Sequence, residues 1–217
     1  MTRWGMVINL NACIGCYSCQ LSCKQEHFVP PEIFFSRVLI SERGKYPNVS
    51  KLIYPVLCNH CDEPPCVDVC PTGATIQRED GIVTVDPDTC IGCRSCLIAC
   101  PYQQRSYLPK QEREYFPGQG LTPYEEMREV LYPLTKGTVV KCNFCLEVVE
   151  QGLKNGLTPG VDRKATPSCV NACPAHARHF GDLDDPKSNV AIMVSDSKAE
   201  PLHPEYGTVP SVHYIPK

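Results

Sequence analysis

The sequence predicts an α+β fold of short strands and short helices, built from one small unit used more than once. Three observations carry that prediction. The sixteen cysteines fall in four groups of four: Cys13, Cys16, Cys19, Cys23; Cys58, Cys61, Cys66, Cys70; Cys90, Cys93, Cys96, Cys100; and Cys142, Cys145, Cys169, Cys173. The segments flanking the groups repeat. Gly5-Met6-Val7-Ile8-Asn9 before Cys13 parallels Gly81-Ile82-Val83-Thr84-Val85 before Cys90, and Cys70-Pro71-Thr72-Gly73-Ala74 parallels Cys173-Pro174-Ala175-His176-Ala177. Finally, twenty-one prolines in 217 residues keep every regular element short.

Taken in order, residues 5–9 and 81–85 alternate or run apolar as strands do. Each leads into a Cys-Ile-Gly-Cys loop, where Gly15 and Gly92 let backbone amides approach the sulfurs with no Cβ in the way. A short helix follows, so that Cys100 lies one turn beyond Cys96, about 6 Å along the axis at ~1.5 Å per residue. Pro71, Pro101 and Pro174 follow the fourth cysteine of three groups and end their helices; the first group has Lys24 there. Residues 74–85 read as a hairpin turning at Glu79-Asp80-Gly81. Residues 101–138 read as a proline- and charge-rich insertion with little periodicity, and Tyr115-Phe116-Pro117-Gly118 and Tyr124 fall in a solvated loop. Asp185-Pro186 reads as the N-cap and first residue of a helix reaching about Lys198. The tail from Glu200 to Lys217 is expected to lie extended over its own lobe or a partner.

The cysteine spacing names the chemistry. Groups one and three are C-x2-C-x2-C-x3-C, the bacterial ferredoxin run that holds cubane iron–sulfur clusters; group two stretches one gap to four residues and group four one gap to twenty-three. Sixteen thiolates suit four [4Fe–4S] clusters with none left over. In two-cluster ferredoxins the fourth cysteine of a run serves the neighbouring cluster, and the one-turn offset of Cys100 agrees with that rule. Disulfide scaffolds are usually shorter and secreted, and residues 1–12 show no secretory signal. Zinc sites need two C-x2-C pairs but call for no third and fourth cysteine beyond them. Each unit is therefore a ferredoxin-like α+β module used twice, and metal-binding free energy should supply much of the folding free energy, leaving the apo-chain largely unfolded.

The remaining residues are exclusions and modifiers. The formal charge of −3, without a basic aromatic patch, argues against nucleic acid. No apolar run reaches the eighteen or so residues of a spanning helix, so the chain is expected to make no membrane span of its own. His60, His176 and His179 sit near cysteines, but the thiolate count leaves them at the surface or behind the ligands. Lys24, Arg94 and Lys141 adjoin cysteines, where positive charge stabilises a reduced cluster. No P-loop, dinucleotide fingerprint or acid–base pair is present, so no catalytic site is expected.

With these motifs the chain resembles the four-cluster iron–sulfur (β) electron-transfer subunits of the complex iron–sulfur molybdoenzymes, the dimethyl sulfoxide reductase family. Further segments carry the resemblance: Cys58-Asn59-His60-Cys61-Asp62-Glu63-Pro64-Pro65-Cys66, Val139-Val140-Lys141-Cys142-Asn143-Phe144-Cys145, Phe180-Gly181-Asp182-Leu183-Asp184-Asp185-Pro186 and Pro210-Ser211-Val212-His213-Tyr214. It implies two nested dicluster modules with long loops and an extended C-terminal tail. One lobe comprises residues 1–57 plus 139–217, the other 58–100, with 101–138 inserted. It implies four [4Fe–4S] clusters, ligated by Cys13, Cys16, Cys19 and Cys173; by Cys142, Cys145, Cys169 and Cys23; by Cys58, Cys61, Cys66 and Cys100; and by Cys90, Cys93, Cys96 and Cys70. The implied partners are a molybdopterin- or tungstopterin-containing catalytic subunit and an integral-membrane quinone-reactive subunit. The implied place is a peripheral one on the membrane, with the periplasmic face favoured over the cytoplasmic. The twenty-three-residue gap between Cys145 and Cys169 is longer than the family pattern and leaves the fold of 146–168 open. A soluble polyferredoxin, or the iron–sulfur subunit of a hydrogenase, is the alternative.

Overall fold

The computed structural model describes residues 2–111 and 114–217. Strand β1 (Trp4–Asn9) is apolar on both faces because both are covered. Helix α1 (Ser18–Glu26) follows the first cysteine loop and, with Lys24 in place of proline, continues past Cys23. A ribbon of β2 (Ser36–Lys45) and β3 (Asn48–Leu57) comes next, buried at its base and exposed toward its tip. The short helix α2 (Pro65–Asp68) leads to β4 (Thr75–Gln77) and β5 (Val83–Val85), then α3 (Ser95–Ala99). The chain continues through β6 (Ser106–Tyr107), α4 (Pro123–Leu131), β7 (Val139–Val140), α5 (Leu146–Lys154) and α6 (Ser168–Asn171). It closes with β8 (Arg178–Asp182), α7 (Asn189–Asp196), β9 (Glu200–Pro201) and β10 (Val212–Ile215).

The strands form a four-stranded sheet in the order β8-β1-β10-β9, in which β1 pairs antiparallel with β8 and parallel with β10. Elsewhere β4 pairs with β5, and β6 with β7. The pairings repeat one relation. The strand after group two (β4) pairs with the strand before group three (β5), and the strand after group four (β8) with the strand before group one (β1). The first pair is a local hairpin turning through Arg78–Ile82; the second joins segments more than 160 residues apart in the chain.

The main core lies under the sheet, where Met6, Ile8, Val149, Phe144, Phe180, Val212 and Tyr214 pack together. Trp4 stacks on Phe180 at 5.4 Å between ring centroids. A second cluster, Val83 and Val139 with Cys66 and Cys96, is small and partly made of the cysteines themselves.

Several elements differ from the sequence expectation. The insertion is not a plain solvated loop: it contains α4, opened by a capping box in which Thr122 and Glu125 satisfy each other's backbone amides, with Pro123 as first helical residue. Tyr124 donates its hydroxyl to the Lys24 carbonyl and stacks on Phe28, and Tyr115 donates to the Val29 carbonyl, so both aromatics are pinned to the loop after α1. Residues 112 and 113 of the insertion lie outside the described ones. Helix α7 starts later than Asp185-Pro186, because Asp185 closes a turn onto the Lys187 amide while Ser188 accepts from the Ala191 amide as the true cap. The tail does not drape over a surface; β10 is an interior strand whose Tyr214 is buried and donates to the Pro55 carbonyl. The long gap in group four holds α5 and a 3-10 turn at Arg163–Ala165.

Candidate metal centres

The four cysteine loops use two backbone designs, each twice. In the first and third groups Gly15 and Gly92 both have φ of 69°, and Tyr17 and Arg94 follow at 64° and 65°. The same turn thus opens α1 and α3, with Cys16 and Cys93 exposed in the loop and Cys19 and Cys96 buried in the first turn of the helix. In the second and fourth groups the loop is Cys-Asn-aromatic-Cys, with His60 at φ 44° and Phe144 at φ 57°. These two rings pack against each other at 3.9 Å between centroids, tilted by 31°, so the two loops meet in the buried interior. After groups two, three and four the third residue beyond the last cysteine, Gly73, Gln103 or His176, is left-handed and donates its amide to that cysteine's carbonyl.

The loops bring together cysteines distant in sequence. Cys13, Cys16, Cys19 and Cys173 line one small cavity beside Arg178. Cys58, Cys61, Cys66 and Cys100 line another beside Arg105. Cys23 lies against Cys142, Cys169 and Cys145, and all four are buried. Cys93 lies near Cys70 across the hairpin region. Among the described residues no three His, Cys, Asp or Glu side chains converge as ligands of a single ion do; the sulfurs ring voids instead. An open groove of about 470 Å³ between Tyr132, Pro133 and Val139 is lined by no cysteine.

Burial grades these thiols from the edge inward. Exposed Cys16 and Cys93 are held below the ordinary thiol value by the hydroxyls and amides of Ser18 and Ser95. At Cys70 burial opposes ionisation, but hydrogen bonds from Thr75 and Thr72 prevail and lower it to about 7. Burial, then the neighbouring Cys169 and Cys58, pushes Cys142 up to about 12, and burial with adjacent sulfurs raises Cys23 and Cys145 well above normal. Buried thiols held in the neutral form would give up their protons on metal loading.

The surroundings fit an inorganic sulfur cluster. Backbone amides of Thr75, Phe144 and Ala177 donate to Cys70, Cys142 and Cys173 at 3.4, 3.4 and 3.2 Å. His60 is fully buried and its Nδ1 accepts from the Val83 amide at 3.0 Å, which leaves the proton on Nε2 with no protein acceptor. Burial, with Lys141 and Arg105 nearby, keeps that ring neutral. Arg178 Nε and His27 Nδ1 are likewise buried donors or acceptors lacking a protein partner. Of these, Arg178 lines the cavity of Cys13, Cys16, Cys19 and Cys173, where a buried donor would suit a sulfur-rich cluster.

The residues singled out beside cysteines divide. His176 is exposed and His179 half-buried, whereas His60 is deep in the core. Lys24 turns to the Pro30 and Ile33 carbonyls at 2.7 and 3.1 Å, where burial lowers it to about 8. Arg94 is exposed and lies 3.8 Å over Tyr107. Lys141 is buried and donates to the carbonyls of Val83 and Cys142. Adjacency in sequence missed three residues closer to the sulfurs: Arg105 donates to Cys66 at 2.9 Å, Arg178 is buried beside Cys169 and Cys19, and His27 Nε2 lies 3.3 Å from Cys145. A signal existed for the arginines, each five residues beyond the last cysteine of its group.

Comparison with known proteins agrees with this geometry. Residues 49–115 match the family model described as "4Fe-4S dicluster domain", and residues 10–26 one described as "4Fe-4S binding domain". The chain is 41% identical over 228 residues to a protein of Halobacterium salinarum named as the iron–sulfur B subunit of a dimethyl sulfoxide reductase, covering 99% of this chain and 79% of that one. It is 37% identical to the B subunit of sulfite dehydrogenase of Allochromatium vinosum, covering 100% of this chain and 84% of the relative. It is also 37% identical to the arsenate respiratory reductase iron–sulfur subunit of Shewanella sp., covering 98% and 96%. The chain belongs to the family of iron–sulfur B subunits of dimethyl sulfoxide reductase-type molybdoenzymes, the electron-transfer subunits of those respiratory oxidoreductases.

Proposed function

We propose that this chain carries four [4Fe–4S] clusters in a line and relays electrons between a molybdopterin or tungstopterin catalytic subunit and an integral-membrane quinone-reactive subunit. The first cluster would be held by Cys13, Cys16, Cys19 and Cys173, the second by Cys142, Cys145, Cys169 and Cys23. The third would be held by Cys58, Cys61, Cys66 and Cys100, and the fourth by Cys90, Cys93, Cys96 and Cys70. The observation that carries this reading is the pair of four-cysteine cavities, each drawing one sulfur from a distant group. Bound clusters supply one-electron redox chemistry; the protein supplies the thiolates, the amides that donate to them and the exclusion of water. The chain offers no catalytic site in this reading, and substrate chemistry belongs to the partner.

The same grouping supports two nested lobes, residues 1–57 with 139–217 and residues 58–100, because β1 pairs with β8 as β5 pairs with β4. Burial supports the order. The sulfurs of Cys23, Cys142, Cys145 and Cys169 are interior, while Cys16 and Cys93 reach the surface at opposite ends of the series. Exposed apolar side chains surround both ends, Ile14 and Leu21 at 66% and 61% exposure near the first, Ile91 and Ile98 at 67% and 87% near the last. Apolar surface beside an exposed ligand suits docking of an electron-exchange partner. No helix among the described residues is long and apolar enough to cross a membrane; in this reading the chain sits peripherally against its membrane partner, with the periplasmic face favoured over the cytoplasmic.

Purified with its partners under anaerobic conditions, the chain should hold sixteen iron and sixteen sulfide ions and show four separate cubane signals. Cys173→Ser should perturb the signal assigned to the Cys13 set and leave that of the Cys142 set intact. The opposite result would overturn the ligand exchange, and recovery of a fully loaded, partner-free monomer would overturn the relay.

A further inference from the structure

Three buried cations stand out once the cysteines are sorted into sets, and each lies between two sets. Arg178 is wholly buried on β8, donates to Ser36 Oγ at 3.1 Å and lies against Cys169 and Cys19. Lys141 is buried just before Cys142 and donates to the carbonyls of Cys142 and of Val83, a residue that clusters with Cys66, so its charge acts on both sets. Arg105 is buried between the Cys66 sulfur, to which it donates at 2.9 Å, and Cys96, with Thr75 Oγ1 as a further acceptor at 3.2 Å. On the ligand reading above, on which this inference rests, these contacts join the first set to the second, the second to the third, and the third to the fourth.

We propose that Arg178, Lys141 and Arg105 are positioning residues of the electron relay, one fixed positive charge standing in each of the three intervals between successive cysteine sets. Their effect is electrostatic. Adding an electron to one site raises the cost of adding another next to it, and inside a protein that repulsion is weakly screened. A cation shared by two neighbouring sets stabilises the reduced state of both and offsets their mutual repulsion. A cation outside the series would act on one site only. Lys24 and Arg94 show the contrast: both adjoin a cysteine in sequence, yet one is engaged by loop carbonyls and the other is exposed over a tyrosine ring.

Burying three cations would be costly without compensating negative charge. Arg105 and Arg178 keep theirs because sulfur surrounds them; burial opposes the charge and the adjacent thiolates outweigh it. Each arginine occupies the same place in its local repeat, five residues past Cys100 or Cys173, beyond a left-handed turn at Gln103 or His176. The second group has Thr75 at that place, and Thr75 accepts from Arg105. One unit of the duplication thus lends its hydroxyl to the cation of the other.

The test is a redox titration of the intact complex followed by low-temperature electron paramagnetic resonance, with signals assigned through single Cys→Ser variants. R105Q should lower the midpoint potentials of the two clusters bound by Cys66 and Cys96, and R178Q those of the two bound by Cys19 and Cys169. K141M should lower those bound by Cys142 and Cys66. Each shift should change the reduced-to-oxidised ratio at fixed ambient potential at least tenfold, 59 mV for a one-electron couple. Where a glutamine variant loses iron, R105K or R178K serves: a compact ammonium does not reproduce the guanidinium fork, which at Arg105 spans Cys66 and Thr75, so at least one potential of the pair should fall. Full iron content with unmoved potentials in these variants overturns the inference and leaves the ligand reading standing. Wild-type complex that holds fewer than four cubanes overturns the ligand reading first.

Discussion

The sheet region and the hairpin region solve the same problem with unequal means. Around β8-β1-β10-β9 the cysteine loops rest on a large apolar core that includes Met6, Ile8, Phe144, Phe180 and Val212. Around β4 and β5 the loops have only the small cluster of Val83 and Val139, with Ile82 as the hairpin's link to the main core. The same loop geometry serves both, since Gly15 and Gly92 share one φ. The difference teaches that a cluster fold tolerates a very small organic core where the inorganic one is present. The hairpin region should therefore be the part that depends on metal.

The strongest way to break that comparison is to remove the iron. Anaerobic chelation should abolish hydrogen-exchange protection at Thr75–Gln77 and Val83–Val85 by roughly three orders of magnitude, about 4 kcal/mol at 1.4 kcal/mol per factor of ten. Amides of β1 and β10 should lose less. Equal loss in both regions would show that the sheet has no independent stability.

Matched glycines sharpen the point. Gly15→Ala should cost about 1–2 kcal/mol, the strain of a left-handed alanine, because its Cβ meets only the Ile53 side chain at 3.0 Å. Gly92→Ala should cost roughly 1–3 kcal/mol more, since its Cβ would stand 2.1 Å from the Gly137 carbonyl oxygen. Denaturant titration of loaded protein compares the two, and equal midpoints would refute the difference.

Smaller effects probe the seams. Thr122→Ala removes the cap of α4 and should cost about 1 kcal/mol. It should raise exchange at the helix start and leave the amides of β4 and β5 unchanged. Glu150→Gln breaks the 2.8 Å ion pair from α5 to Arg78 at the hairpin turn. Both side chains are about a third or more exposed and Arg78 keeps Asp80, so the change should be within about 0.5 kcal/mol. A larger loss would mean the two regions are coupled mainly through this pair.

The cysteine loops and about half of the fold were legible in the residues. Cysteine spacing and the glycines between cysteines are local signals, and they pointed to loops, short helices and the β4–β5 hairpin. The partners of β1 were not legible, because β8 and β10 are chosen by tertiary packing across the whole chain. The ribbon of β2 and β3 went unread because its exposed half has polar residues on both faces, without alternation. Helix α4 was readable in principle from Thr122-Pro123 and Glu125, a capping signature hidden by the surrounding prolines. Ser188 took the cap from Asp185 because Asp185 was occupied by its own turn. The buried arginines were missed because proximity to sulfur was judged along the chain, where five residues look distant.

The interior position of β10 sets a schedule. Trp4 and its neighbours leave the ribosome long before the strands that flank them, at 178–182 and 212–215. At roughly 5–20 residues per second, β1 waits about 10–40 seconds for its last neighbour. The sheet closes only once residues 212–215 have been made, and until then the first cysteine loop lacks its finished scaffold.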